Sequence, residues 1–242
     1  MADLTDRQIK ILKAVIDEYI ATALPVGSNT LEKKYSLNVS PATIRNEMMA
    51  LTEAGFFKKI HSSSGRMPTP LALKYYVNNL LKEQQLSVAE EVAVKEKVWD
   101  HRHELDRLLR EMTRELAMRT KELAVATTDR GDLYAAGMAN ILEAPEFFDI
   151  DLTKALLSHL DEIGFWLNLI NRPTTQGPIE LLLGDDLGDE LFEPCGFIFH
   201  RFETDSYRGV IGVIGPARVN FNRVFPTMRY FGELIDEILG GR

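Results

Sequence analysis

SPATIRNEMMALTEAG, residues 40–55, carries the start, the buried stripe and the stop of one helix. Ser40 is an N-cap, and Pro41 sits at the first helical position, where its missing N–H costs nothing. Ile44, Met48 and Leu51 recur at helical spacing, which turns Thr43 and Asn46 outward. Gly55 is a C-terminal stop. Upstream, Leu24-Pro25-Val26-Gly27 breaks the chain, and Ser28 is expected to cap a short helix through Tyr35 with Leu31 facing inward. The two helices are joined by a turn of a few residues, which is the helix-turn-helix pattern. Before them, Thr5 and Gln8 form a capping box for a helix with Ile9, Leu12, Val15, Ile16, Tyr19 and Ile20 at helical spacing. After them, FFKKI reads as a short strand, HSSSGR as a turn, and Met67-Pro68-Thr69 as a return strand. Thr69 then caps, and Pro70 starts, a helix carrying Leu71, Tyr75, Tyr76, Leu80 and Leu81. Three helices followed by a two-stranded basic hairpin describe a winged helix.

The charge is distributed to match. The chain carries −8 overall, yet residues 1–85 hold 11 Lys/Arg against 8 Asp/Glu. No acid lies between Glu53 and Glu83, whereas Lys58, Lys59, Arg66, Lys74 and Lys82 do. A small cationic module attached to an acidic body is suited to meet a polyanion at one end only. In a helix-turn-helix the second helix enters the major groove with its N-terminal residues at the base edges. Here those residues are Ser40, Ala42, Thr43, Arg45 and Asn46. Arginine pairs bidentately with guanine and asparagine with adenine, while Ser40, Thr43 and the unpaired N–H groups of the helix start suit phosphate. The wing supplies Lys58, Lys59, His61, Ser62, Ser63, Ser64, Gly65 and Arg66. Its small hydroxyl residues let backbone approach phosphate, Gly65 suits a tight turn, and Arg66 is expected to reach a minor groove. With Ser28, these make up the candidate DNA-binding set.

The rest of the chain changes type. Residues 87–121 read as one charge-rich linking helix opened by a second capping box, Ser87 with Glu90. Leu105, Leu109, Met112, Leu116 and Leu123 approximate a 3.5-residue period, which suits either packing on their own domain or a dimer seam. LAVATT, LYAAGM, IELLLG, CGFIFHRF and YRGVIGVIG read as strands. Residues 151–171 read as one helix stopped near Pro173, with Gly164 as a weak point, and 222–239 as a closing amphipathic helix. This is an α+β body of PAS/GAF-like proportions with antiparallel pairing. The expected division is a winged-helix DNA-binding domain at 1–85, a linking helix at 86–122 and a GAF-like regulatory and dimerisation domain at 123–242.

Composition excludes more than it proposes. Cys195 is the sole cysteine among 242 residues, so an intramolecular disulfide and a cysteine zinc cluster are both ruled out. It is read as a core thiol. No apolar run approaches a membrane span, and MADLTDRQIK has no signal-peptide core, so a cytoplasmic protein is expected. His101 and His103 point to different helix faces and do not share a metal. Gly209, Gly212 and Gly215 lie inside an apolar strand without a Walker lysine or a dinucleotide fingerprint. Asp185, Asp186, Asp189 and Glu190 read as a solvated loop. No catalytic set, metal or cofactor is expected.

Longer stretches carry a resemblance. PVGSNTLEKKYSLNVSPATIRNEMMALTEAGFF at 25–57, HSSSGRMPT at 61–69 and KYYV at 74–77 closely resemble the N-terminal winged helix of the heat-inducible transcription repressor HrcA family. GMANILEAPEFFDIDLTKALLSHLDE at 137–162 and GVIGVIGPARVNFNRVFPTMRYFGELIDEIL at 209–239 resemble that family's later segments, in the same order. The resemblance implies a homodimeric repressor on an inverted-repeat operator ahead of chaperone genes, with a chaperonin assisting the active form and a GAF-like sensory body. Ser40 through Asn46 fall on the family's SPATIRN, and Ser64, Gly65 and Arg66 on its SAGR wing. Ser64 stands where alanine is usual, and Ile60 where proline is common. Between the LAVATT strand and the GMANIL segment only residues 127–132 or so stand in place of the family's insertion, so the chain resembles a shortened member without the inserted dimerisation domain. Another surface, on 88–122 or the GAF-like body, is then expected to pair two copies. The alternative reading is a winged-helix regulator governed by a small molecule in the GAF-like domain.

Overall fold

The computed structural model describes residues 4–59, 65–82, 84–173, 177–188 and 190–240, and it divides into two units, Met1–Lys82 and Glu83–Arg242. In the first unit, the Thr5–Gln8 capping box opens α1 (Asp6–Thr22), which is followed by α2 (Ser28–Lys34) and α3 (Pro41–Glu53). The buried face of α1 is Ile11, Leu12, Val15 and Ile16, with Ile9 and Ile20 only half-buried. The stripe expected from Ile9 and Ile20 is therefore rotated toward Ile11. The core is completed by Leu31, by Ile44, Met48 and Leu51 of α3, and by Tyr76, whose hydroxyl donates to Asp17 at 2.9 Å. Glu18 is buried and is neutralised by Lys34 at 2.5 Å, with the Tyr35 hydroxyl at 3.3 Å.

The hairpin pairs β1 (Phe57–Lys58) with β2 (Met67–Pro68) in antiparallel register, Phe57 opposite Pro68. Thr69 then caps α4 (Pro70–Asn79), whose Leu73 and Tyr76 face inward, while Leu71 is exposed. Val26 adds a third rung, exchanging both backbone hydrogen bonds with Arg66 at 2.9 Å.

The second unit is a five-stranded, wholly antiparallel sheet covered on both faces. Its strands are β3 (Leu123–Thr128), β4 (Leu133–Ala136), β5 (Ile179–Leu183), β6 (Cys195–Glu203) and β7 (Arg208–Pro216), in the order β4-β3-β7-β6-β5. Burial on both faces explains why β3 and β7 read as unbroken apolar runs rather than alternating ones. Helices α5 (Val88–Trp99) and α6 (Leu105–Thr120) precede the sheet. The expected single linking helix is thus two helices. They reverse over 100–104, where Glu104 precedes α6 at the cap position without a side-chain cap bond, and neither Gly nor Pro marks the turn. Packing explains the break: Lys97 pairs with Glu115, and the Glu91 carbonyl accepts from the Tyr230 hydroxyl at 2.7 Å. Leu109, Met112 and Leu116 are fully buried in this unit, so the 3.5-residue stripe is spent on intramolecular packing.

A short helix α7 (Met138–Ile141), then α8 (Ile150–Leu160) and α9 (Ile163–Asn171), lie along the other face, and α10 (Phe221–Gly240) closes the chain. The expected 151–171 helix is again divided, at Asp161–Glu162, so that Trp166 and Ile170 reach the core. That core joins Leu156, Leu160, Trp166, Phe197, Phe199 and Ile214. Under α10, His200 of β6 is buried between two oxygens, the Pro178 carbonyl at 2.8 Å and Asp236 at 3.0 Å.

Candidate nucleic-acid interface

The N-terminal half of α3 is held out from the first unit by its own cap and its buried side. Ser40 Oγ accepts from the Thr43 amide at 3.2 Å, and the Ser40 and Thr43 hydroxyls lie 3.0 Å apart. Ile44 and Met48 anchor the opposite face in the core, while Ser40, Ala42, Arg45 and Asn46 are exposed and Thr43 is half-exposed. Glu47 is turned aside toward Arg7 of α1, at 3.3 Å, so the one acid in this half of the helix is paired with a cation.

Beside this edge lies a cleft of about 410 Å³ between α3, the start of α2 and the hairpin. Arg45 and Met49 form one wall, Asn29 at the start of α2 another, and Lys59 with Gly65 the third. Lys59 is exposed and Lys58 half-exposed, on the strand end that runs toward the hairpin tip. Three cationic side chains, Arg45, Lys59 and Arg66, thus line a groove that no carboxylate lines among the described residues. His61, Ser62, Ser63 and Ser64 lie outside the described residues.

Three expectations are corrected here. Arg66 does not extend as a groove probe: it is 8 % exposed, its Nε donates to Thr52 Oγ1 at 2.9 Å, and desolvation lowers its pKa from the ordinary arginine value. It fastens the hairpin to α3. Gly65 is required by close approach rather than by a turn, because a Cβ there would sit 2.5 Å from the Val26 carbonyl oxygen. Ser28 is likewise not a cap. It is buried as the first residue of α2, with Gly27 at the cap position and no side-chain bond. The sequence reading missed Val26, Asn29 and Thr52. Val26 and Thr52 act through pairing across the fold, for which local sequence carries no signal.

Elsewhere the chemistry is structural. Burial pushes the Cys195 thiol up to about 12, in keeping with a core position. Asp186 accepts from the Leu183 amide at 2.9 Å, which ties down its own loop. Among the described residues no group of three or more His, Cys, Asp or Glu is placed to hold a metal, and no helix is long and apolar enough to cross a membrane. Gly209, Gly212 and Gly215 lie in β7, inside the sheet.

Comparison with known proteins places these features in context. Residues 66–225 match the family model described as the HrcA protein C-terminal domain. A heat-inducible transcription repressor HrcA of Clostridium tetani is 46% identical over 340 aligned positions, covering 98% of this chain and 96% of the relative. That alignment is longer than the 242 residues present here, so a long stretch of the relative has no counterpart. The repressor of the same name from Symbiobacterium thermophilum is 45% identical over 122 residues, half of this chain and 36% of that one. A crystal structure of a hypothetical protein superposes with a TM-score of 0.81 over 99% of both chains at 17% identity, which establishes a shared fold.

Proposed function

This chain belongs to the heat-inducible transcription repressor HrcA family, and on that premise we propose that it represses transcription by docking the exposed edge of α3 in a DNA major groove. One observation carries the reading: Arg45 and Asn46 stand exposed on the first turns of a helix whose other face is locked in the core, beside a cleft edged by Lys59. Arg45 is suited to bidentate pairing with guanine and Asn46 with adenine. Ser40, Thr43 and the amides of the helix start suit phosphate, and Lys58 and Lys59 suit the flanking backbone. Ala42 is small enough to let the helix seat. His61, Ser62, Ser63 and Ser64 extend the wing in this proposal. Gly65 and Arg66 serve it indirectly, by fixing where the wing leaves the module.

A single winged helix reads only a few base pairs, so we infer a homodimer on an inverted repeat. The α6 stripe is spent within its own unit. The second unit instead exposes Met138, Leu142, Phe148, Ile150 and Ile163, and this run is assigned the pairing role. Control of chaperone genes, a cytoplasmic setting and assistance by a chaperonin follow from the family reading and stand as part of the proposal.

Selection of bound fragments from random DNA tests the whole reading, with a palindromic consensus expected. Arg45→Ala is expected to cost about 1–3 kcal/mol at the selected site and to relax one position in each half. Lys59→Ala is expected to weaken all sequences alike and to flatten the salt dependence. Equal losses on selected and random DNA for both variants would refute the assignment.

A further inference from the structure

A small void of about 20 Å³ lies among Leu156, Leu160, Trp166, Phe192, Phe197 and Ile214. Its walls are apolar. The one polar atom of Trp166, Nε1, is directed instead to the Leu160 carbonyl at 3.3 Å. His159 packs at the edge of the void, its ring tilted against Phe192 at 4.9 Å and Phe165 at 5.0 Å between centroids.

Phe165 and Leu187 separate the void from a second, open cleft of about 150 Å³, and both side chains line both spaces. Each is half-exposed, and each sits where the backbone is lightly tied. Phe165 is in the first turn of α9, which has no side-chain cap, and Leu187 ends a 3-10 turn followed by Gly188 at φ +93°. The outer cleft has an apolar floor, Leu169 and Leu182, and a polar rim, Asn168 and Arg172. Arg172 is anchored by Nη1 on the Asp186 carbonyl at 2.8 Å, which sets the guanidinium at the rim. Asp186 also lines the cleft, but its Oδ2 is engaged by the Leu183 amide.

An apolar floor and a planar cation at the mouth define one ligand chemistry. The geometry points to a binding site for a small apolar monocarboxylate in the second unit, its ring or chain seated in the outer cleft on Leu169 and Leu182 beside Phe165 and Leu187, and its carboxylate held by Arg172 and Asn168. The outer cleft, about 150 Å³, suits one ring with a short acid arm, and the inner space of about 20 Å³ holds no more than about one water. A neutral molecule forfeits the charge-assisted pair at the rim, and a bare carboxylate forfeits the apolar contacts. This inference is independent of the DNA reading, since it concerns a different unit and needs no operator.

The test uses the full chain carrying Trp99→Phe, which leaves Trp166 as its remaining tryptophan. Phenylacetate is titrated, with phenylacetamide and acetate as controls, while circular dichroism verifies folding. A saturable change in Trp166 emission is expected with phenylacetate, and none with acetate. Arg172→Met is expected to weaken phenylacetate about tenfold while leaving any phenylacetamide response unchanged. Leu182→Phe, which fills the half-exposed cleft, is expected to abolish the response to both. Absence of saturation up to about 10 mM on folded protein overturns the site. Equal phenylacetate affinity in Arg172→Met, or an undiminished response in Leu182→Phe, overturns it as well.

Discussion

Replacing Glu122 by glutamine is expected to stabilise the second unit, by an amount that grows with pH. Glu122 is 9 % exposed, at the point where the α6 end enters β3. Its backbone carbonyl accepts from Asn140 at 3.0 Å, and its carboxylate fills the space left by Gly215, where a Cβ would lie 2.3 Å from Oε2. Desolvation dominates and pushes its pKa from 4.5 up to about 8, against the opposing pull of Arg223 and Arg218. Arg218 is already engaged by Glu146 at 2.6 and 3.0 Å, which weakens that pull.

The folded state therefore holds a proton that the unfolded chain releases above 4.5. Stability contributed by this group is greatest below pH 4.5, falls as pH rises toward 8, and levels off beyond. The slope in that window is about 1.4 kcal/mol per pH unit, so between pH 5 and pH 8 the native protein loses about 3 kcal/mol from this group alone. Glutamine has the same shape and does not titrate. Glu122→Gln should match the native protein within about 1 kcal/mol at pH 5 and exceed it by about 3 kcal/mol at pH 8. Urea unfolding followed by tryptophan emission is the assay, because Trp99 and Trp166, the two tryptophans of the chain, both lie in the second unit. Subtracting the two proteins at each pH cancels the other titrating groups. A difference that stays flat from pH 5 to pH 9, or that favours the native carboxylate at high pH, would refute the reasoning.

Gly65→Ala should force apart the Val26–Arg66 bridge, costing the first unit about 1–3 kcal/mol and removing hydrogen-exchange protection at the Val26 and Arg66 amides. Arg66→Met should destabilise the same unit by about 1–2 kcal/mol, through loss of the hydrogen bond that Arg66 donates to Thr52, and weaken all DNA sequences alike. Unchanged stability with a selective loss on A·T-rich sites would return Arg66 to a groove-reading role. Phe148→Glu combined with Ile150→Lys should shift the sedimentation coefficient to that of a monomer, since both residues are more than 70 % exposed and their loss costs no core packing. A variant that still sediments as the native species would place the seam elsewhere.

Much of this protein was legible without coordinates, and for a local reason. Thr5 with Gln8, Ser40 with Pro41, Thr69 with Pro70 and Ser87 with Glu90 each satisfy helix-start amides within a few residues, so their meaning survives in any context. The outward set of α3 follows from one apolar stripe, Ile44, Met48 and Leu51, because the helical period fixes both faces at once. The strands showed themselves as apolar runs, and the antiparallel sheet followed from their close spacing. What the sequence did not disclose depends on partners far along the chain. The reversal at 100–104 carries no breaker residue, and the break at Asp161–Glu162 falls just before Gly164, the weak point the sequence did offer; both exist because α6 and α9 are drawn onto the sheet. Arg66 reads as a wing cation until Thr52 and Val26 are seen to hold it. Glu122 reads as one more surface acid until β7 closes over it. Local hydrogen bonding is written in neighbouring residues, whereas burial is a property of what packs on top, and only the tertiary structure decides that.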